Sequence, residues 1–120
     1  MLVLGNSYFT SITVGIKVKN LEEAASWYKK FLNKSEGISP SEDIIEFEII
    51  EGYWLQLIED KNVHGNNCVF RLGVEDIEEE HKRLTSLGIE VEQINRIEGV
   101  VAYCNFKDPF GNDLTIYQTI

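Results

Sequence analysis

Apolar and polar residues alternate along the first well-patterned segment of the chain, residues 12–18. Alternation puts every second side chain on one side of an extended strand, so this segment predicts a half-buried β-strand. The spacing becomes helical over residues 21–32, where Asn20 and Glu23 are placed as the two members of an N-terminal capping box. The inner stripe of this predicted helix is Leu21, Ala24, Tyr28, Phe31 and Leu32.

A loop and a hairpin are predicted after this helix. Residues 35–43 contain a glycine and a proline and offer few apolar side chains to bury, which predicts a loop. Two strands are predicted over residues 44–50 and 53–59, joined by a tight turn at Glu51 and Gly52. The first half of the chain is thus strand, helix and at least two strands.

The second half of the chain repeats this plan after a polar connector, residues 60–67. A strand is predicted over residues 68–74, and Asp76 with Glu79 repeats the capping pair of a helix that ends before Gly88. Three more strands are predicted over residues 89–94, 100–106 and 114–117.

The two halves match when the first is shifted by 56 positions. The shift lays Val18 on Val74 and Asn20 on Asp76, and it aligns the inner stripes of the two helices. Any two strand-helix units share part of such a pattern, so coincidence is the alternative to a duplication. We interpret the match as a duplication, which predicts an α+β fold of two βαβββ modules.

The composition is that of a globular domain, with 43% hydrophobic and 26% charged residues over 120 positions. A chain of this length buries roughly two thirds of its unfolded surface, which suffices for a core. The net charge of -9 repels phosphate backbones and anionic membranes, so neither nucleic acid nor a membrane is expected as a partner. The acidity serves solubility or attracts a cationic ligand, and the sequence leaves both open.

Two cysteines, Cys68 and Cys104, do not make a disulfide framework, and we expect both to be reduced. Residues 1–10 lack the basic and long apolar regions of a secretory signal, and no stretch reaches the ~20 apolar residues of a membrane span. These observations predict a cytoplasmic protein. Cys104 belongs to an apolar strand face, which favours a buried thiol over a reactive one.

Two motifs resemble the vicinal-oxygen-chelate superfamily, which contains glyoxalases, bleomycin-resistance proteins and dioxygenases. Residues 106–114, FKDPFGNDL, resemble the turn between that family's last two strands, and residues 18–32 resemble its first strand and helix with the aromatic pair Trp27 and Tyr28. Together with the repeat, the resemblance covers residues 12–118. It implies one domain, residues 1–120, whose modules at 12–59 and 68–118 form a curved mixed-sheet cup for a ligand.

Strand phase predicts which residues face this cup, because the apolar side of each strand is expected to pack against the helices. The candidate ligand-binding residues are Lys17, Glu46, Glu48, Trp54, Gln56, Arg71, Tyr103, Asn105, Thr115 and Tyr117. The other residues predicted on this face are Thr13, Gly15 and Val69. The alternative is that the aromatic residues only fill the cup or a dimer seam.

The resemblance also implies four metal-ligand positions, one on each of four cup-facing strands. In this chain they fall on Thr13, Gln56, Val69 and Thr115, of which only Gln56 is a plausible donor. We therefore predict no metal and no cofactor. A relocated magnesium-type site is the alternative, with oxygens from Glu46, Glu48 and Glu59. The two histidines, His64 in the connector and His81 on the second helix, are expected outside the cup.

The predicted function is metal-free binding of a small molecule, similar to the sequestering role of the bleomycin-resistance branch. Aromatic faces and excess acidity favour an aromatic or cationic ligand, although Lys17 and Arg71 oppose a cation. The alternative is a lyase or dioxygenase-like enzyme with a relocated divalent metal, and whether the chain is an enzyme stays open. A third possibility is a protein partner bound at the cup rim. The resemblance further implies a homodimer.

Overall fold

A computed structural model describes residues 8–64 and 68–120 and contains two helices and eight strands within those ranges. The first module consists of β1 (Ile12–Val18), α1 (Leu21–Leu32), β2 (Ile38–Ser41), β3 (Ile44–Ile50) and β4 (Tyr53–Glu59). The second module consists of β5 (Val69–Gly73), α2 (Ile77–Ser86), β6 (Asn95–Ile97), β7 (Val101–Lys107) and β8 (Asp113–Thr119). Residues 1–7, and residues 65–67 of the predicted connector, lie outside the described part.

Each module forms its own four-stranded mixed sheet in the part of the chain that the structure describes. The strand orders are β1-β4-β3-β2 and β5-β8-β7-β6. In both sheets the first strand runs parallel to the last strand of its module, and the remaining pairs are antiparallel. The predicted α+β fold of two βαβββ modules is confirmed, and the two sheets stay separate within one chain.

Side-chain caps fix the beginning of each helix as the sequence predicts. Asn20 Oδ1 accepts a hydrogen bond from the Glu23 amide at 2.9 Å, and Asp76 Oδ1 accepts one from the Glu79 amide at 3.2 Å. These bonds satisfy amides that the first helical turn leaves without a backbone partner. The first helix ends at Asn33, which adopts a left-handed conformation with φ of 54°.

The core lies between the helices and the apolar faces of both sheets. Tyr28 and Phe31 of α1 are buried together with strand residues of both modules. The Phe31 and Phe106 rings meet edge to face, with centroids 5.4 Å apart, so the first helix packs against the second module as well as its own sheet. Arg83 of α2 donates hydrogen bonds to the Phe31 and Lys30 carbonyl oxygens at 2.7 and 3.3 Å. One continuous core therefore joins the two modules.

Two sequence predictions about local structure are wrong. Residues 89–94 form no strand, because the Glu92 amide makes an isolated hydrogen bond to the Asn105 carbonyl in place of a ladder, and the strand β6 follows at 95–97. The alternating apolar residues of this segment instead pack irregularly against the core. The loop predicted at 35–43 contains the edge strand β2, where Ser39 Oγ donates to the Ile44 carbonyl at 2.8 Å.

The tight turns agree with the sequence predictions. The turn between β3 and β4 contains Gly52 at φ of 82°, and the turn between β7 and β8 contains Gly111 at φ of 89°. Both values lie in the region where glycine avoids the strain of a side chain. Among the described residues, no helix has the length and apolar character needed to cross a bilayer.

Candidate functional site

The polar face of the first sheet carries a row of three neighbouring residues at its centre. Strand register sets Gly15, Gln56 and Glu46 side by side on β1, β4 and β3. Gln56 Nε2 donates a hydrogen bond to Glu46 Oε2 at 2.9 Å. The opposite face of these strands packs in the core through residues such as Leu55 and Phe47, so the predicted strand phase holds in this module.

The other predicted residues of this face have structural partners. Glu48 accepts a hydrogen bond from the Gly52 amide at 3.1 Å and thereby supports the β3–β4 turn. Lys17 forms an ion pair with Asp60 at 3.9 Å. Trp54 is half-buried and pairs in register with Glu48. Two of the charged candidates are therefore engaged at the ends of the sheet.

The second sheet carries the equivalent row, built from different side chains. Register sets Arg71, Thr115 and Asn105 side by side on β5, β8 and β7. Thr115 Oγ1 and Asn105 Oδ1 are 2.8 Å apart, and the hydroxyl donates to the amide oxygen. Their strand neighbours Leu114 and Ile116 are buried on the helix side, so strand phase holds here too.

Two tyrosines flank this row on the same face. Gly73, Tyr117 and Tyr103 are register partners in the next row. A Cβ atom at Gly73 would lie 3.3 Å from the Tyr117 ring, so the ring lies directly against the glycine backbone. The glycine lets the aromatic ring reach across the edge strand, which places a flat surface beside the row that contains Arg71.

The concave face of the second module forms a cavity of about 500 Å³. Its lining residues are Arg71, Val101, Tyr103, Asn105, Thr115 and Tyr117. A second cavity, of about 400 Å³, lies at the junction of the modules. Trp54, Arg71 and Tyr117 are among the residues that line it. Six of the ten predicted residues thus meet around these two cavities, whereas Lys17, Glu46, Glu48 and Gln56 line neither.

A third cavity, of about 770 Å³, lies beside this face and is not among the sequence predictions. It extends from Arg71 and Asn105 to Trp27 and to the irregular segment after α2, including Ile89 and Glu90. No sequence pattern indicates this cavity, because its wall contains residues 87–90 and 92, part of which the alternation predicts as a regular strand.

Several solved structures share this architecture. A glyoxalase/bleomycin resistance protein from Catenulispora acidiphila DSM 44928 has a TM-score of 0.79 at 21% identity, with 92% of this chain and 98% of that chain covered. An integron cassette protein from the Halifax Harbour sewage outfall metagenome has a TM-score of 0.79 at 26% identity, covering 90% and 97%. Lactoylglutathione lyase from Agrobacterium tumefaciens has a TM-score of 0.73 at 17% identity, covering 89% and 91%. No protein-family model and no curated protein matches the sequence.

The chain has the glyoxalase/bleomycin-resistance fold. This is the fold that the resemblance of the sequence motifs implied. The structural relatives carry names as different as a resistance protein and a lyase, so the glyoxalase fold alone does not define the activity of this chain.

The side chains at the family's four metal positions do not fit a divalent ion. Thr13 and Val69 are exposed, and Val69 has no donor atom at all. The Gln56 amide nitrogen is bonded to Glu46, and the Thr115 hydroxyl is bonded to Asn105. A catalytic divalent ion requires several convergent nitrogen, oxygen or sulfur donors. These positions supply one amide and two hydroxyl groups.

The relocated metal site is not assembled either. Glu46 accepts a hydrogen bond from Gln56, and Glu48 accepts one from the Gly52 amide. Glu59 accepts a hydrogen bond from the Leu21 amide at 3.0 Å. Among residues 8–64 and 68–120, no three His, Cys, Asp or Glu side chains converge on a possible ion. His64 is exposed and His81 lies on α2, with its Nε2 3.2 Å from the Glu92 carbonyl oxygen.

The turn that carries the family resemblance also joins the two modules. Asp108 Oδ1 accepts hydrogen bonds from the Phe110 and Asn112 amides, both at 2.9 Å, which stabilise the turn. Its second oxygen accepts the Tyr28 hydroxyl at 2.6 Å, a contact that the sequence analysis missed. Burial, and then the charge of Asp108, raises the pKa of Tyr28 above its ordinary value of 10.0. A tyrosine on the buried stripe of a helix needs a hydrogen-bond partner for its hydroxyl, and this requirement was the signal in the sequence for such a contact.

The two cysteines offer no activated nucleophile. Burial raises the pKa of the Cys104 thiol, and burial together with the nearby Asp108 charge raises the pKa of the Cys68 thiol. The thiolate is the reactive form, so both shifts lower reactivity at neutral pH. Cys68 and Cys104 form no disulfide with each other.

Proposed function

We propose that this chain binds a small molecule on the concave face of its second module, without a metal ion, in a sequestering role. The observation that carries the proposal is the content of the cavity of about 500 Å³. It combines two tyrosine rings with hydrogen-bonding side chains, the usual composition of a ligand site. The family's metal positions, in contrast, have side chains unsuited to a catalytic ion.

We further propose that two chains pair to complete the cup. The strands β1 and β5 each have one neighbour, so each leaves one backbone edge open within the described residues. Ile12 and Val69 on these strands are each 54% exposed. Open, partly apolar edges favour pairing with another strand. A homodimer that joins the first module of one chain to the second module of its partner would cover both edges.

A cytoplasmic location is part of the proposal. Cys68 and Cys104 form no disulfide with each other, which suits a reducing compartment. The net charge of -9 disfavours nucleic acids and anionic membranes as partners.

The test is a thermal-shift screen of aromatic, cationic and anionic compounds, with and without divalent metals. A ligand at 100 times its Kd adds about 2.7 kcal/mol of stability. We expect such a shift in metal-free protein, its loss in Tyr117→Leu, and its retention in Tyr8→Leu, because Tyr8 is 94% exposed and lines none of these cavities. Stoichiometric zinc, nickel or iron in the purified protein would contradict the proposal and support the lyase or dioxygenase alternative.

A further inference from the structure

The two modules present opposite hydrogen-bonding groups at equivalent positions. In the first module, the Gln56 side-chain amide donates a hydrogen bond to Glu46 Oε2. The other oxygens of these two side chains are acceptors. Gly15 completes the row and contributes no side chain. The first module therefore offers acceptors and a negative charge.

The equivalent row of the second module offers donors. The Thr115 hydroxyl donates a hydrogen bond to the side-chain amide oxygen of Asn105. The NH₂ group of the same amide can therefore donate to a ligand. The guanidinium of Arg71 makes no hydrogen bond or ion pair with any residue in 8–64 and 68–120. Its guanidinium carries five donors, and it lines the cavity together with Asn105.

No carboxylate among the described residues forms an ion pair with Arg71, although Glu90 and Glu92 line the neighbouring cavity of about 770 Å³ together with it. Asp113 lies in the adjoining row and forms an ion pair with Lys107 of β7. By strand register, Arg71 stands where the first module has Gly15, and Asn105 stands where the first module has the carboxylate of Glu46. In this row, therefore, the second module carries a positive charge and free amide donors, whereas the first module carries a negative charge.

We propose that this cavity binds the carboxylate of a small aromatic acid, an inference that rests on the proposed binding function. Arg71 and the Asn105 amide donate hydrogen bonds to the carboxylate oxygens, and Tyr103 and Tyr117 contact the aromatic ring. A guanidinium matches a carboxylate with two parallel hydrogen bonds, which a neutral ligand cannot form equally well. The ring faces add the apolar area that holds the rest of the ligand.

The net charge of the chain does not prevent anion binding at this position. Charges farther than about 8 Å from the ligand are largely screened at physiological ionic strength. The guanidinium would be in direct contact with the carboxylate, so the local attraction exceeds the distant repulsion. The cavity thus favours an anion, although the acidity of the whole chain favours a cation.

Titration calorimetry with benzoate, its neutral analogue benzamide, and benzylammonium tests the inference. We expect benzoate to bind more tightly than benzamide by about tenfold or more, since a hydrogen-bonded ion pair is lost. Arg71→Gln should remove this preference. Arg96→Gln is the matched control, because Arg96 lies outside the cavity and pairs with Glu78 at 2.8 Å.

The outcomes separate this inference from the proposed function. Equal affinities for benzoate and benzamide, or unchanged benzoate affinity in Arg71→Gln, would overturn the anion site. If benzamide or benzylammonium binds and Tyr117→Leu abolishes that binding, the proposed small-molecule function survives without the anion site. If none of the three probes binds the dimeric or monomeric protein, the carboxylate site is refuted, and the broader screen decides the binding function.

Discussion

Replacing Tyr28 by phenylalanine removes a single hydroxyl that joins the two modules. The hydroxyl donates to Asp108 Oδ2 at 2.6 Å, and the two residues are 0% and 4% exposed. Asp108 would keep its hydrogen bonds from the amides of Phe110 and Asn112 and from the Asn112 side chain. The carboxylate therefore stays buried with one donor fewer.

The expected loss of stability follows from this contact. A hydrogen bond to a charged group contributes about 1.5–3 kcal/mol, and the phenylalanine ring fills the space of the tyrosine ring, so we expect a loss of about 2 kcal/mol. A domain of 120 residues unfolds with an entropy of roughly 0.25 kcal/mol per kelvin. The corresponding fall in Tm is about 8 °C.

Differential scanning calorimetry of Tyr28→Phe beside wild type measures this loss. Tyr53→Phe is the matched control, because its side chain is 49% exposed and its hydroxyl has no hydrogen-bond partner among the described residues. The control should keep the wild-type Tm. Equal Tm values for the two variants would refute the conclusion that this contact stabilises the joined modules.

Tyr28→Phe should also change how folding stability depends on pH. Burial and Asp108 raise the pKa of Tyr28 above 10.0, so the native state keeps a proton that the unfolded chain releases. The contribution of Tyr28 to the free energy of unfolding is complete below the pKa that the residue has in the unfolded chain. It falls above about pH 10, by up to about 1.4 kcal/mol per pH unit. The stabilities of wild type and Tyr28→Phe should therefore converge in alkaline solution. A constant difference from roughly pH 8 to pH 11 would contradict this assignment.

Two further substitutions test the helix ends by urea unfolding. Asn20→Ala removes the acceptor for the Glu23 amide and should cost about 1 kcal/mol, whereas Asn20→Asp keeps an acceptor and should cost little. Arg83→Met removes the donor to the Phe31 carbonyl and should also cost about 1 kcal/mol, while Lys82→Met on the exposed side of the same helix should not. An unchanged urea midpoint in Asn20→Ala or Arg83→Met would show that the corresponding contact is not stabilising.

The sequence predicted the elements whose signals are local. Capping residues defined both helix starts, and alternation defined β1, β3 and β4, because each of these strands buries one face. Alternation failed at residues 89–94, since apolar side chains there reach the core without a hydrogen-bonded ladder. It also missed β2, whose residues are all exposed and therefore carry no apolar period.

The candidate site was predictable as a face but not as a network. Strand phase identified Arg71, Asn105 and Thr115 as side chains of one face, and register sets them in one row. The direction of the Thr115 hydrogen bond, which leaves donors exposed, depends on coordinates that no spacing rule supplies. The hydrogen bond from Tyr28 to Asp108 joins residues 80 positions apart, so no local sequence pattern could predict it.

The contact that joins the modules and the proposed carboxylate site lie on different sides of the second sheet, so stability and binding should be separable. Tyr28 belongs to the helix side, where its loss weakens the core without changing the donors of the concave face. The Arg71 side chain has no hydrogen-bond or ion-pair partner within the described residues, so Arg71→Gln should change folding stability by less than about 0.5 kcal/mol while removing the benzoate preference. Tyr28→Phe should show the reverse, a lower Tm with benzoate affinity unchanged when both proteins are measured well below their unfolding temperatures. If Arg71→Gln instead lowers the Tm as much as Tyr28→Phe, the arginine has a structural role, and the case for a ligand as its missing partner is lost.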